Sequence, residues 1–190
     1  RILIRLDPRA YCQEMRMTST YRPRRSVLYM PAANERALEK AKEIEADALI
    51  FDLEDAVAPD AKELARDQAC SAASSAEYGK RELTIRCNGL DTPWGRDDVL
   101  AAAAAAPAAV VIPKVDGPEY LDEISSLLEA GGAPPSTQIW AMVETPTGIL
   151  NVNQIANHER MSVMVMGTND MAKELRASIT ADRQSLLPYL

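Results

Sequence analysis

The chain has 190 residues, 47% of them apolar and 26% charged, with 28 acidic against 21 basic side chains and a net charge of −7. This supports one substantial core and argues against a nucleic-acid binder, and no apolar run reaches the length of a membrane span. Three cysteines, Cys12, Cys70 and Cys87, are odd in number and fit no zinc spacing, which reads as a reducing, cytoplasmic location.

Residues 1–23 are expected to be a leader, disordered or non-native, outside the folded part. Residues 1–16 have no apolar signal core and no initiator methionine, and Met17-Thr18-Ser19-Thr20 makes a more natural start. The domain expected is 24–190. Residues 26–31 (SVLYMP) form the first strand. Asn34 then caps a helix through residue 46, with Ala37, Leu38, Ala41 and Ile44 on one face. Residues 48–55 (ALIFDLED) are the second strand, apolar up to an acidic tip. A helix from Pro59-Asp60 aligns Leu64, Ala65, Ala69 and Ala72. Residues 82–88 (ELTIRCN) are the third strand, and Asp97 or Asp98 caps the alanine-rich helix that follows.

Residues 109–115 (AVVIPKV) are the fourth strand, ended by Pro113. A helix over 118–130 carries Tyr120, Leu121, Ile124, Leu127 and Leu128, and Gly131-Gly132 stops it. The fifth strand is the run 139–143 before Glu144, and a short helix covers 149–156. The sixth strand is 163–166, and MAKELRA after Asp170 begins another helix.

Near-continuous apolar strands alternating with helices imply a parallel sheet covered on both sides. Strand centres recur every 22 to 35 residues, and eight such units make a barrel of about 250 residues. The tail 183–190 shows no seventh strand. The sequence therefore suits an open six-stranded sheet or, as preferred here, a parallel (β/α)8 TIM barrel of which about six βα units are present. A barrel cut there leaves two strand edges unpaired.

The side chains just past the strands are Asp52, Glu54 and Asp55, then Arg86 and Asn88, Lys114, Glu144 and Asp170. In a parallel barrel that rim carries the chemistry. Glu144 and Asp170 each follow an apolar strand directly and lie beside Pro or Gly turns. Few hard oxygen ligands with room left for water suit Mg²⁺. Asp60 and Asp97 read as helix N-terminal charge compensation, worth under about 1 kcal/mol. Lys114 offers an alternative, a Schiff-base aldolase, or a plain ion pair with the acidic rim. An anionic ligand would find its best basic cluster at Arg22, Arg24 and Arg25, followed by Arg36, Lys40 and Lys42. His158 reads as surface, Met142, Met161, Met164 and Met166 as core filler, and Cys87 as a small apolar residue.

The segments SVLYMP-x-ANERALEKA, ALIFDLEDAVAPDAK, IRCNGLDTPWG, VIPKV, WAMVETPTGILN and VMGTNDMAKELRA resemble the citrate lyase β-subunit/malyl-CoA lyase group of the HpcH/HpaI aldolase superfamily, over about residues 24–177. The resemblance implies a (β/α)8 barrel using Mg²⁺ to make or break a carbon–carbon bond in a 3-hydroxyacyl-CoA, such as malyl-CoA, citramalyl-CoA or a citryl thioester. It implies an acyl-CoA and a small keto or hydroxy acid as partners, a homo-oligomer when full length, and neither nucleic acid nor membrane. It makes Glu144 and Asp170 the Mg²⁺ ligands and Arg86 the clamp for the substrate carboxylate and developing oxyanion. Glu54 and Asp55 join Arg86 as catalytic residues, and with Asp52 they hold metal-bound waters and Arg86. Arg25 and Asn34 would lie along the CoA side, with Asn88, Gly167 and Thr168 at the substrate. The sequence departs from the group at Ala32, where relatives commonly have glycine. It also lacks the last two strands and the C-terminal segment that supplies an acid/base to a neighbouring subunit. An inactive truncated fragment acting only as an oligomer partner is the non-catalytic alternative.

Overall fold

The computed structural model describes residues 22–190, so Cys12, the start at Met17 and all but the end of the expected leader lie outside the described residues. Six strands run in chain order across one sheet: β1 (Val27–Pro31), β2 (Ala48–Asp52), β3 (Glu82–Arg86), β4 (Ala109–Ile112), β5 (Gln138–Val143) and β6 (Met161–Met166). Every neighbouring pair is parallel. The helices between them are α1 (Glu35–Ala41), α2 (Lys62–Ser74), α3 (Gly95–Ala105), α4 (Pro118–Ala130), α5 (Pro146–Leu150), α6 (Val152–Ala156) and α7 (Thr168–Glu174). Among the described residues no helix is long and apolar enough to cross a membrane.

Both strand faces are apolar because both are covered. One face carries Leu49, Phe51, Ile85, Val110, Ile112, Ile139 and Ala141 against the helices. The helices meet it with small or aliphatic stripes, Ala65, Ala69 and Ala72 on α2 and Leu121, Ile124, Leu127 and Leu128 on α4. The other face is concave and carries Ala48, Ile50, Ala109, Val111, Trp140 and Met142, with Val163 and Val165 from β6.

The sheet is rolled like a barrel wall. Tyr29 on β1 places its hydroxyl 3.9 Å from the sulfur of Met142 on β5. Strands about 4.8 Å apart would put these two about 19 Å apart in a flat sheet. The guanidinium of Arg24 likewise sits 5.2 Å from the Trp140 ring. The wall is a six-unit portion of a (β/α) barrel, with β1 and β6 as its edges. Val27, Leu28 and Tyr29 are 36–40% exposed there, whereas all of β2 is buried.

Several boundaries differ from the sequence reading. Asn34 does cap α1, accepting from the Ala37 amide, but the helix stops at Ala41 and the chain turns through Lys42–Glu39 and Glu43–Lys40 backbone bonds. Asp97 and Asp98 do not cap α3. The helix starts at Gly95, whose amide donates to the Thr92 hydroxyl, and Asp98 turns inward. The expected helix over 149–156 is two, because Thr145 starts the first at Pro146 and Asn151 leaves helical geometry to donate to the Asp116 carbonyl. His158 is not a free surface residue: its side chain is 8% exposed and its Nε2 lies 3.3 Å from Asp122. Met164 is 44% exposed on the edge strand and fills no core. Ala32 is buried and is not among the residues with positive φ, so its turn does not require glycine.

Candidate active site

Parallel register sets the acid pairs. Asp52 ends β2 directly opposite Arg86, which ends β3. The two meet in a fork, Nε to Oδ1 at 2.7 Å and Nη2 to Oδ2 at 2.5 Å. Asp52 also accepts from the amides of Glu54 and Ala56, so one carboxylate both fixes the guanidinium and shapes the loop. Burial opposes the charge on Arg86, but its hydrogen bonds to Asp52 and the charges of Asp52 and Glu54 outweigh this and hold the proton more firmly than usual. The guanidinium stacks 5.0 Å from the Tyr29 ring, and Nη1 lies 2.8 Å from Glu54 and 3.6 Å from Asp55. The Glu54 contact is close but poorly aligned, so its buried Oε2 takes no hydrogen bond. Burial pushes Glu54 up to about 7, against the pull of Arg86.

Glu144 follows β5 on the concave face and is 2% exposed. Its Oε1 accepts from the Lys114 amide at 2.8 Å. Its other oxygen faces Gly167, the residue after β6, where a Cβ would stand 2.2 Å away. Only glycine lets the backbone pass that carboxylate. Burial raises the Glu144 pKa, the Lys114 amide opposes this, and Asp170 adds to it. Asp170 lies in the first turn of α7 rather than ahead of it.

Glu144, Asp170 and Arg86 line one cleft of about 430 Å³, together with Tyr29, Asp52 and Asp55. Gly167, Thr168 and Asn169 line it on the β6 side. Among the described residues no group of three or more metal-binding side chains occurs, so any cation here rests on two carboxylates. That donor set fits Mg²⁺, which keeps several waters and binds through one or two carboxylates. Glu144 also calls for a cation: it is buried with no ion pair among the described residues, and an unpaired buried carboxylate is costly.

Three residues expected at the substrate are engaged with other partners. Arg25 precedes β1, at the opposite end of the sheet, and pairs with Asp47 at 2.9 Å. Its partners in the basic cluster are engaged there too, Arg24 with Glu82 and Lys42 with Glu39 and Glu77. Asn34 is at the correct end, but its side chain caps α1. Asn88 is 3% exposed, and its amide is spent on Leu53, Asp98 and Lys62. Lys114 forms no ion pair with the rim; its side chain is exposed, its backbone is left-handed at φ 49°, and its contribution is the amide to Glu144. Sequence reasoning missed Tyr29, Lys62 and Asp98. For Lys62 a signal existed: it falls on the same helical stripe as Ala65, Ala69 and Ala72, where a charge is out of place unless paired.

The model of the HpcH/HpaI aldolase/citrate lyase family matches residues 25–189. The chain is 49% identical over 164 residues to a (3S)-malyl-CoA thioesterase of Cereibacter sphaeroides, covering 86% of this chain and 55% of that one. It is 34% identical over 172 residues to citrate lyase subunit beta of Escherichia coli, covering 87% and 57%. The chain thus spans about half the length of the curated relatives it matches. Its fold superposes with a TM-score of 0.69 on the Mycobacterium tuberculosis protein CitE in complex with magnesium and pyruvate, at 27% identity, covering 85% of this chain and 63% of that one.

Proposed function

The chain belongs to the HpcH/HpaI aldolase/citrate lyase family, and on that premise we propose that it serves a Mg²⁺-dependent lyase acting on a 3-hydroxyacyl-CoA of the malyl, citramalyl or citryl type. The observation that carries this reading is the convergence of Glu144, Asp170 and Arg86 on one cleft. Glu144 and Asp170 would hold the cation. When bound, it supplies positive charge to the oxygen on which negative charge develops as the carbon–carbon bond breaks.

The chain's own side chains do the rest. Arg86 is aimed by Asp52 and still has N–H groups beyond that fork, so it can grip a substrate carboxylate without changing rotamer. Glu54 is poised near neutrality beside it. It is set back from the cleft lining, so it would take the hydroxyl proton at its carboxylate through one bridging water as the bond between the carbinol carbon and the carbon alpha to the thioester breaks. The products are a carbonyl acid and a thioester enolate, which a proton then quenches. Asp55 stands at the exposed lip and adds negative charge that keeps Arg86 in place. Chelation with EDTA should abolish cleavage of malyl-CoA to acetyl-CoA and glyoxylate; undiminished cleavage in EDTA would refute the reading.

A second reading is hydrolysis of the thioester, favoured by the 49% identity to a malyl-CoA thioesterase. The two separate by product: free CoA and malate from hydrolysis, acetyl-CoA and glyoxylate from the lyase.

A further inference from the structure

Beneath the acidic loop lies a buried polar network that the reaction as proposed does not use. Lys62 opens α2 and is 5% exposed. Its ammonium donates to the Leu53 carbonyl at 2.7 Å, the Glu54 carbonyl at 2.7 Å and Asn88 Oδ1 at 2.8 Å. All three of its hydrogens are spent. The Trp94 ring covers it at 5.3 Å. Asn88 relays the contact, donating to the Leu53 carbonyl at 3.0 Å and to Asp98 at 2.6 Å, and Asp98 accepts from Arg66 at 2.7 Å.

The loop after β2 is therefore held from two sides. Asp52 takes its amides, those of Glu54 and Ala56. Lys62 takes its carbonyls, those of Leu53 and Glu54. The Glu54 side chain lies between these anchors, against Arg86. We propose that Lys62 is a positioning residue that clamps the carbonyls of the 53–55 loop and so sets Glu54 and Asp55 against Arg86. This rests on reading the cleft as the reaction site. Removing the ammonium leaves Asn88 Oδ1 without a donor, and it leaves the Leu53 carbonyl with only the Asn88 amide and the Glu54 carbonyl with only the Val57 amide, so the loop is held from one side alone.

The test compares wild type with Lys62→Met, which keeps the apolar stem, and Lys62→Gln, which keeps at most two donor hydrogens. The readouts are the amide resonances of Glu54 and Asp55 and calorimetric binding of pyruvate in the presence of Mg²⁺. The expected result for Lys62→Met is shifted or broadened loop resonances with those of α4 unchanged, and pyruvate affinity down by about tenfold or more. Lys62→Gln should lie between, and it carries the test if Lys62→Met does not fold. A lowered melting temperature with wild-type loop resonances and affinity would overturn the proposal, leaving Lys62 as ordinary core. If wild type itself binds no pyruvate with Mg²⁺, the citramalyl form of the lyase reading fails, and the loop resonances still decide the role of Lys62.

Discussion

The carboxylate of Glu144 lies against the backbone of Gly167, with a Cβ at position 167 placed 2.2 Å from Oε2 and 2.5 Å from the Glu144 Cβ. The neighbouring register, Val143 beside Met166, makes this contact a direct consequence of parallel pairing between β5 and β6. Gly167→Ala should therefore expel Glu144 from its place. The expected result is a stability loss of about 1–3 kcal/mol in urea denaturation, with Mg²⁺ affinity lowered in a calorimetric titration. Unchanged stability and metal binding would mean the two residues are not in contact.

The Asp52–Arg86 fork is buried on both sides, with Asp52 2% and Arg86 6% exposed. Asp52→Ala removes the fork and leaves the guanidinium with the poorly aligned Glu54 and the more distant, exposed Asp55. We expect a loss of about 3–5 kcal/mol, measured from the urea midpoint at constant m-value. The loss should exceed that of Asp47→Ala, whose Arg25 partner is solvent-exposed.

Glu54 gives stability a pH dependence whose sign follows from its raised pKa. Between its ordinary 4.5 and its folded value of about 7 the folded chain keeps a proton that the unfolded chain has lost. Its contribution is therefore fully present below pH 4.5 and disappears as the pH rises through 7. In metal-free buffer wild type should be less stable at pH 8 than at pH 5 by more than Glu54→Gln is. Equal pH slopes for the two proteins would contradict the raised pKa.

Lys114 holds Glu144 through its backbone amide while sitting at φ 49°, a conformation that costs a side-chain-bearing residue about 1 kcal/mol or more. Lys114→Gly keeps the amide and relieves the strain. It should raise stability by up to about 1 kcal/mol and leave metal binding intact. It also separates the lyase from a Schiff-base aldolase. Borohydride with substrate should trap no adduct on wild type, and an adduct lost in Lys114→Gly would restore the imine reading.

What the sequence shows depends on whether the signal is local. α4 matches its expected bounds, because Pro118 starts it, a stripe of aliphatic residues runs along it, and two glycines follow. Glu144 and Asp170 were visible as acids at strand ends next to turns. That Asp52 holds Arg86 came from the family resemblance and not from any local pattern, since the fork depends on the register of β2 against β3. Asn88 and Arg25 show the same limit. Each lies within a few residues of the right strand, yet one turns into the network under the loop and the other sits at the far end of the sheet. The break at Asn151 and the burial of His158 came from side-chain hydrogen bonds and packing that periodicity does not encode.

The most direct test of the central claim is a calorimetric Mg²⁺ titration of wild type, Glu144→Gln and Asp170→Asn at neutral pH. Two carboxylates sharing one cation predict a single site in wild type, with affinity falling by about tenfold or more in each variant. Wild-type affinity retained in both variants would show that Mg²⁺, if it binds at all, is held somewhere other than the cleft between β5 and β6.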